Sequence, residues 1–261
     1  MAERSPLTGQ ALWVNHAPSQ TDPAPLLQRL DACKASGVVL KYHDGTSTTD
    51  NTGWPLQATF RALTPALKRA GYKVWAFGYW YKDDTAAAIS GLVRQAATDG
   101  ADGYCADVES PFEFAGSDAA IAPILAAIRS SCPALPLAYT TFPYADMHPQ
   151  IPWKALDTLD IAMPQVYYAM LGAPTVDFAY NKCFLSMQAA GVAGPKAHAR
   201  WQPIGQTDGM ATAAQAQRFA ALCENGAVPG ISWWVLQGQP VAMDAVLAAD
   251  PYAAAVVPPK A

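Results

Sequence analysis

Asp107 and Glu109 stand two positions apart in the stretch Asp102-Gly103-Tyr104-Cys105-Ala106-Asp107-Val108-Glu109, directly before a Ser110-Pro111 break. Side chains alternate along a strand, so Cys105, Asp107 and Glu109 share one face and Tyr104, Ala106 and Val108 take the other. Burying an unpartnered charge costs several kcal/mol, so an acid pair on the inner face of a strand end points to chemistry rather than to folding. Cleaving a glycosidic bond needs a protonated carboxylic acid near the leaving oxygen and a second group that attacks or stabilises the anomeric centre. Glu109, the outer of the two, is the candidate acid. A neighbouring Asp107 could raise the pKa of Glu109, since two close carboxylates resist ionising together. It could instead orient an N-acetyl group of the substrate, whose carbonyl oxygen would attack the anomeric carbon without a protein nucleophile. The bland alternative is an edge strand with solvated acids.

The elements that must position this pair alternate strand with helix about eight times. Strands are expected at Ala11–Ala17, Val38–Tyr42, Lys73–Tyr81, Asp102–Glu109, Leu135–Phe142, Ile161–Tyr168, Lys196–Gln202 and Gly230–Leu236. Helices fill the intervals, with apolar residues at helical spacing such as Leu26, Leu27, Leu30 and Cys33 or Ile121, Ile124, Leu125 and Ile128. Asp22 is a candidate N-cap for the first helix, and Asp83 and Asp84 are expected to cap the third. A repeat of roughly thirty residues is the pattern of an α/β protein with a single (β/α)8 TIM-type barrel. It spans residues 1–261 as one domain, with tails at 1–10 and 255–261. A doubly wound open sheet is the alternative, but the first strand leads into Asn15-His16-Ala17-Pro18 rather than a glycine-rich phosphate turn.

Active sites of such barrels lie at the carboxyl ends of the strands. That rule gathers Asn15, His16, His43, Asp44, Tyr79, Trp80, Tyr81, Asp107, Glu109, Tyr139, Thr140, Thr141, Phe142, Gln165, Tyr167, Tyr168, Arg200, Trp201, Gln202, Trp233 and Trp234 on one rim. Sugars present apolar ring faces and hydroxyl edges, so aromatics among amides and carboxylates suit them. The expected substrate-binding set is Asn15, His43, Asp44, Tyr79, Tyr81, Tyr139, Gln165, Arg200, Trp233 and Trp234. Cys105 reads as a small interior residue, since no basic partner adjoins it. Ser110 lacks the flanking glycines of a nucleophile elbow.

Of the 261 residues, 51% are hydrophobic and 15% charged, which excludes a disordered chain. The net charge of −4 comes with no basic stripe, so nucleic acid is not an expected partner. His16, His43, His148 and His198 form no HxH or HxxxH pair, and the five cysteines no CxxC spacing, so neither a metal nor another cofactor is expected. The cysteines read as buried and reduced. No apolar run suits a signal peptide or a membrane span, so the expectation is a monomer made in the cytoplasm, without membrane contact.

Val38-Val39-Leu40-Lys41-Tyr42-His43-Asp44-Gly45-Thr46, followed by Asp107-Val108-Glu109, resembles family-25 glycoside hydrolases, the lysozyme-like muramidases of bacteria and phages. The resemblance implies Glu109 as acid with Asp107 beside it. The chain departs from that family at its first strand, where Trp13, Asn15 and His16 stand in place of an Asp. Asp102-Gly103-x-Cys105-x-Asp107-x-Glu109, with Met163-x-Gln165-x-Tyr167 and a tryptophan on the eighth strand, is similar to the family-18 chitinases, although Cys105 replaces their usual Asp. That resemblance implies that Asp107 positions an N-acetyl group, that Tyr167 helps polarise it as a third catalytic residue, and that Trp233 or Trp234 floors the sugar site.

Both resemblances imply a polymer of N-acetylated amino sugars. The leading expectation is an N-acetylmuramidase cutting β-1,4 bonds in peptidoglycan with retention, of the kind a phage releases at lysis or carries on its particle to act on the cell wall. A chitinase or N-acetylglucosaminidase of the family-18 type is the alternative, and a barrel that binds glycans or proteins without catalysis is the second.

Overall fold

The computed structural model describes residues 8–192 and 200–253. Eight parallel strands alternate with eight helices: β1 (Gly9–Val14), α1 (Ala24–Ala32), β2 (Gly37–Asp44), α2 (Leu56–Arg69), β3 (Lys73–Tyr79), α3 (Ala86–Thr98), β4 (Gly103–Asp107), α4 (Ser117–Ser131), β5 (Leu137–Thr140), α5 (Trp153–Leu156), β6 (Ile161–Ala162), α6 (Val176–Ala189), β7 (Ile204–Gln206), α7 (Ala213–Asn225), β8 (Gly230–Trp234) and α8 (Val241–Ala248). The sheet order β6-β5-β4-β3-β2-β1-β8-β7 follows the chain around a curl. Bridges from Ala162 to Trp201 and from Gln165 to Ile204 join its two ends. The expected (β/α)8 architecture is therefore the observed one.

Two apolar clusters follow from strand alternation. Leu12, Val38, Leu40, Ala76, Tyr104 and Leu137 point outward and pack beneath the helices, where α2 presents Leu56, Phe60, Leu63 and Leu67 on one stripe. Ala11, Trp13, Val39, Trp75, Phe77, Cys105, Ala138 and Met163 point inward and fill the barrel. Burying one such side chain contributes roughly 1.5–3 kcal/mol, so the barrel is a packed floor rather than a pore. All five cysteines are buried and unpaired, and no helix among the described residues is long and apolar enough to cross a membrane.

Several expectations need correction. β1 begins at Gly9 and ends at Val14, so the first strand lies earlier than its apolar run suggested. The N-cap of α3 is Thr85, whose hydroxyl accepts from Ala88 N, while Asp84 accepts from Tyr81 N at 2.7 Å. The seventh strand, expected at Lys196–Gln202, is Ile204–Gln206. Residues 196–199, with His198, fall outside the described residues. Arg200 consequently sits before the strand instead of at its end. Its guanidinium donates to the carbonyls of Asp157, Leu159 and Asp160, beside the amino end of β6, so it is a fold brace and not a rim residue.

One irregularity in β2 decides two side chains. Lys41 pairs with Phe77 but His43 with Gly78, so one extra residue is inserted between them. This bulge turns Tyr42 and His43 to the helix side and brings Asp44 level with Tyr79. His43 is fully buried, not substrate-facing. Its Nδ1–H donates to Gly45 O at 2.7 Å and its Nε2 accepts from the Tyr104 hydroxyl at 2.6 Å. Burial pushes its pKa down to about 4, so the ring is neutral. Gly78 makes room for it: a Cβ there would lie 2.0 Å from His43 Nε2. Gly78→Ala should therefore destabilise the fold by about 3 kcal/mol through overpacking and a lost buried hydrogen bond. Urea unfolding of the variant measures this, and an unchanged midpoint would remove His43 from its assigned place.

Candidate active site

The strand register sets the site. Asp44 on β2, Tyr79 on β3, Asp107 on β4 and Thr140 on β5 are side by side across four neighbouring strands, the uppermost row of inward positions. Val108 N continues the ladder to Thr140 O at 3.0 Å, which carries Glu109 one step above that row on the same face. The chain then breaks into a 3-10 turn over Ser110–Phe112. The acids thus project from the end of a fixed strand, not from a loop.

Gln165 ties the pair together. Its amide donates to Glu109 Oε1 at 2.7 Å and reaches Asp107 Oδ1 at 3.4 Å. Glu109 is the charged neighbour of Asp107 on the same strand face, and Asp107 is 7% exposed. Burial, then the neighbouring Glu109 charge, hold the Asp107 pKa well above the usual carboxylate range. Burial and that neighbour therefore favour the protonated form of Asp107.

Aromatic rings floor this pair. Trp234 points inward and stacks on Tyr167, with centroids 6.0 Å apart and planes at 27°. Trp13 and Phe77 support it from beneath at 6.0 and 6.4 Å. The Tyr167 hydroxyl has no hydrogen-bond partner among the described residues. Burial and the charges of Asp107 and Glu109 push its pKa far up, so it remains a donor. On the β3 side, Tyr81 is 43% exposed, with its hydroxyl donating to Asp44 Oδ1 at 2.9 Å and its ring 5.1 Å from that of Tyr79. Burial pushes both tyrosines up to about 12, with the nearby Glu109 charge adding to the effect at Tyr79.

The structure thus brings together Asp107, Glu109, Gln165, Tyr167, Tyr79, Tyr81, Asp44 and Trp234. Asn15 lies half-buried at the end of β1, its backbone N–H donating to Gln237 Oε1 at 3.2 Å. Tyr139 does not belong to the site: it faces the helices, fully buried, because Thr140 takes the inward position beside Asp107. Trp233 likewise points outward, packed on Phe219 and donating to Gln10 Oε1 at 2.8 Å. Trp80, also on the helix side, donates to the Tyr104 hydroxyl at 2.9 Å.

Three rim residues were missed: Gln206, Asp208 and Lys41. Gln206 and Asp208 follow from the true end of β7. The Gln206 side chain accepts from Ala169 N and Met170 N and donates to Asp208 Oδ1 at 2.8 Å, fixing the loop that carries Tyr167. Thr140, expected at the end of its strand, offers a buried hydroxyl without a partner among the described residues. Lys41 rises from below to Asp44 Oδ2 at 2.9 Å; its inward parity was the available signal. A carboxyl pair with Asp107 protonated, an amide across it, a buried phenol and an indole floor can protonate a leaving oxygen while steadying a planar or cationic centre above the ring. Among the described residues no three His, Cys, Asp or Glu side chains group closely enough to hold a metal ion.

No protein-family model matches the chain, and no curated protein sequence matches it significantly. Solved structures do. A chitinase from Bacteroides thetaiotaomicron aligns over 97% of this chain and 99% of its own at 8% identity, with a TM-score of 0.70. The catalytic domain of psychrophilic chitinase B from Arthrobacter TAD20 covers 97% and 98% at 12% identity and 0.65. The glycoside hydrolase domain of PgaB (BpsB) from Bordetella bronchiseptica covers 95% and 98% at 14% identity and 0.60. At such identities the likeness is one of fold, a barrel shared with chitinase-type and other glycoside hydrolases.

Proposed function

We propose that the chain is a retaining glycoside hydrolase of the family-18 chitinase type, cutting β-1,4 bonds in a polymer of N-acetylhexosamine. The observation that carries this is the Asp107–Glu109 carboxyl pair, bridged by Gln165 above the Trp234–Tyr167 floor. A pyranose ring lying on Trp234 would put its anomeric carbon beneath Glu109. Its acetamido N–H would donate to Asp107, and its acetamido carbonyl oxygen would accept from the Tyr167 hydroxyl.

The sequence of bond changes follows from where the proton rests. As positive charge develops near Asp107, its proton moves to Glu109, which passes it to the glycosidic oxygen. The bond from C1 to that oxygen breaks, and the acetamido oxygen bonds to C1, giving a cyclic cation beside the Asp107 carboxylate. Water then attacks C1 and yields its proton to Glu109, which restores the pair and gives net retention. The fold neighbours named above support this reading over the muramidase expectation. The second reading, peptidoglycan, rests on the family-25-like stretch Val38–Thr46 and on the Lys41–Asp44 pair it contributes to the rim.

Digestion of chitin oligomers and of purified peptidoglycan, with mass spectrometry of the new reducing ends, separates the readings. Ends on N-acetylglucosamine released from chitin oligomers support the proposal. New ends on N-acetylmuramic acid return the chain to the muramidases. Release from neither substrate leaves a glycan-binding barrel.

A further inference from the structure

Lys41 has no part in the bond changes above, yet it is built into the site. It leaves β2 level with Phe77 and Cys105, one row beneath Asp107. Its stem climbs to set Nζ 2.9 Å from Asp44 Oδ2, with only 15% of the side chain exposed. Asp44 is clasped from its other oxygen by the Tyr81 hydroxyl at 2.9 Å and stands in the Asp107 row, separated from it by Tyr79. A lysine stem is flexible and its ammonium strongly hydrated, so the clasp is what keeps this charge inside the rim.

We infer that Lys41 is a positioning residue for the acid pair: held by the Tyr81–Asp44 clasp, its ammonium governs when Asp107 gives up its proton and becomes the carboxylate that grips the substrate. The use of that carboxylate rests on the glycosidase reading; the charge balance does not. Asp107 is faced by Glu109 from its own strand, Lys41 and Asp44 from β2, Tyr79 from β3, Tyr167 from beyond β6 and Cys105 beneath it. Burial and Glu109 hold Asp107 protonated. Lys41 supplies the opposing pull toward ionisation, and Asp44 partly cancels it. The phenols and the thiol stay neutral.

The two neighbours therefore act on Asp107 with opposite signs. In the full chain, labelled with 13C at its Asp and Glu carboxyls, Lys41→Met should move the Asp107 titration midpoint up by about one pH unit. Asp44→Asn should move it down, because it removes an anion while the amide oxygen can still accept from the ammonium. Lys41→Arg keeps the charge and should restore the wild-type midpoint. A packing role cannot give opposite shifts from two touching residues. Midpoints that move together, or do not move, overturn the inference. If Lys41→Met does not fold, Asp44→Asn decides: a midpoint that stays or rises refutes it. The pH–activity profiles separate this from the glycosidase reading. Titrations that shift as expected in a protein that cuts no polymer keep the role of Lys41 and end that reading. Cleavage with unmoved titrations does the reverse.

Discussion

If the chain is the proposed glycosidase, Glu109→Gln should lower turnover on a natural polymer by about 10³–10⁴-fold while leaving the fold and substrate affinity nearly unchanged. General acid catalysis contributes about 10²–10⁴-fold, and a sugar alkoxide is a poor leaving group, so the upper part of that range applies. The substitution is close to isosteric, and its amide oxygen still accepts from Gln165, whose bond to Glu109 is 2.7 Å. The bridge therefore survives and only the group that delivers the proton is lost. An aryl glycoside, whose leaving group departs without protonation, distinguishes this from general damage. Its first step should fall much less than that on a chitin oligomer, as single-turnover release of the phenol would show. Equal losses on both substrates would assign Glu109 a binding role instead.

Asp107→Asn moves activity and stability in opposite directions. Activity should fall by roughly 10²–10³-fold, the usual cost of removing one preorganised electrostatic contact to a developing charge. Stability should rise. The Asp107 pKa is raised by burial and by Glu109, so its contribution to stability is fully present below the unfolded value of 3.8 and is lost as pH climbs toward the folded value. An asparagine pays no such penalty, and its amide can still donate to Glu109. Wild type and variant should therefore melt together near pH 4, with the variant ahead by several degrees at pH 8, at about 2–4 °C per kcal/mol for a chain of this size. Calorimetry across that range reads the gap directly, and a variant that melts lower at pH 8 would contradict a protonated Asp107. On the proposed reading, the site is a place where the chain gives up stability for chemistry.

How far the sequence foretold this site depends on whether strand parity could be read. Along β4 it could, because two acids on one face of an otherwise apolar strand have no folding explanation. Gln165 and Tyr167 likewise stood at the correct end of β6. The mistakes of strand face share one cause, since a single residue of offset exchanges the two faces of a strand. His43 left the rim through the bulge in β2, a feature fixed by packing against Gly78 that leaves no local pattern, while the same bulge set Asp44 in the inward row as expected. Tyr139 and Trp233 each adjoin the inward residue, and only pairing settles which one faces the floor. For β8 the bond from Trp13 Nε1 to Ser232 Oγ at 2.9 Å sets Ser232 inward, and with it Trp234. Arg200 was misplaced, and Gln206 and Asp208 overlooked, because the seventh strand lacks a continuous apolar run. Lys41 escaped notice because a long stem let it act one row above its own Cα.

The barrel closes unevenly. β1 to β3 have six to eight residues each, whereas β6 has two and β7 three. The join between the short strands rests on a few backbone bonds, from Gln202 N to Ala162 O, Ile204 N to Pro164 O and Val166 N to Ile204 O, each 2.9 Å. Gln165, the residue that bridges the acids, is seated on that join through its pairing with Ile204. The machinery is therefore hung on the weakest stave of the barrel. Gentle warming that loosens this stave would pull Gln165 from the carboxyls while the longer strands still hold, so catalytic failure would precede collapse of the fold.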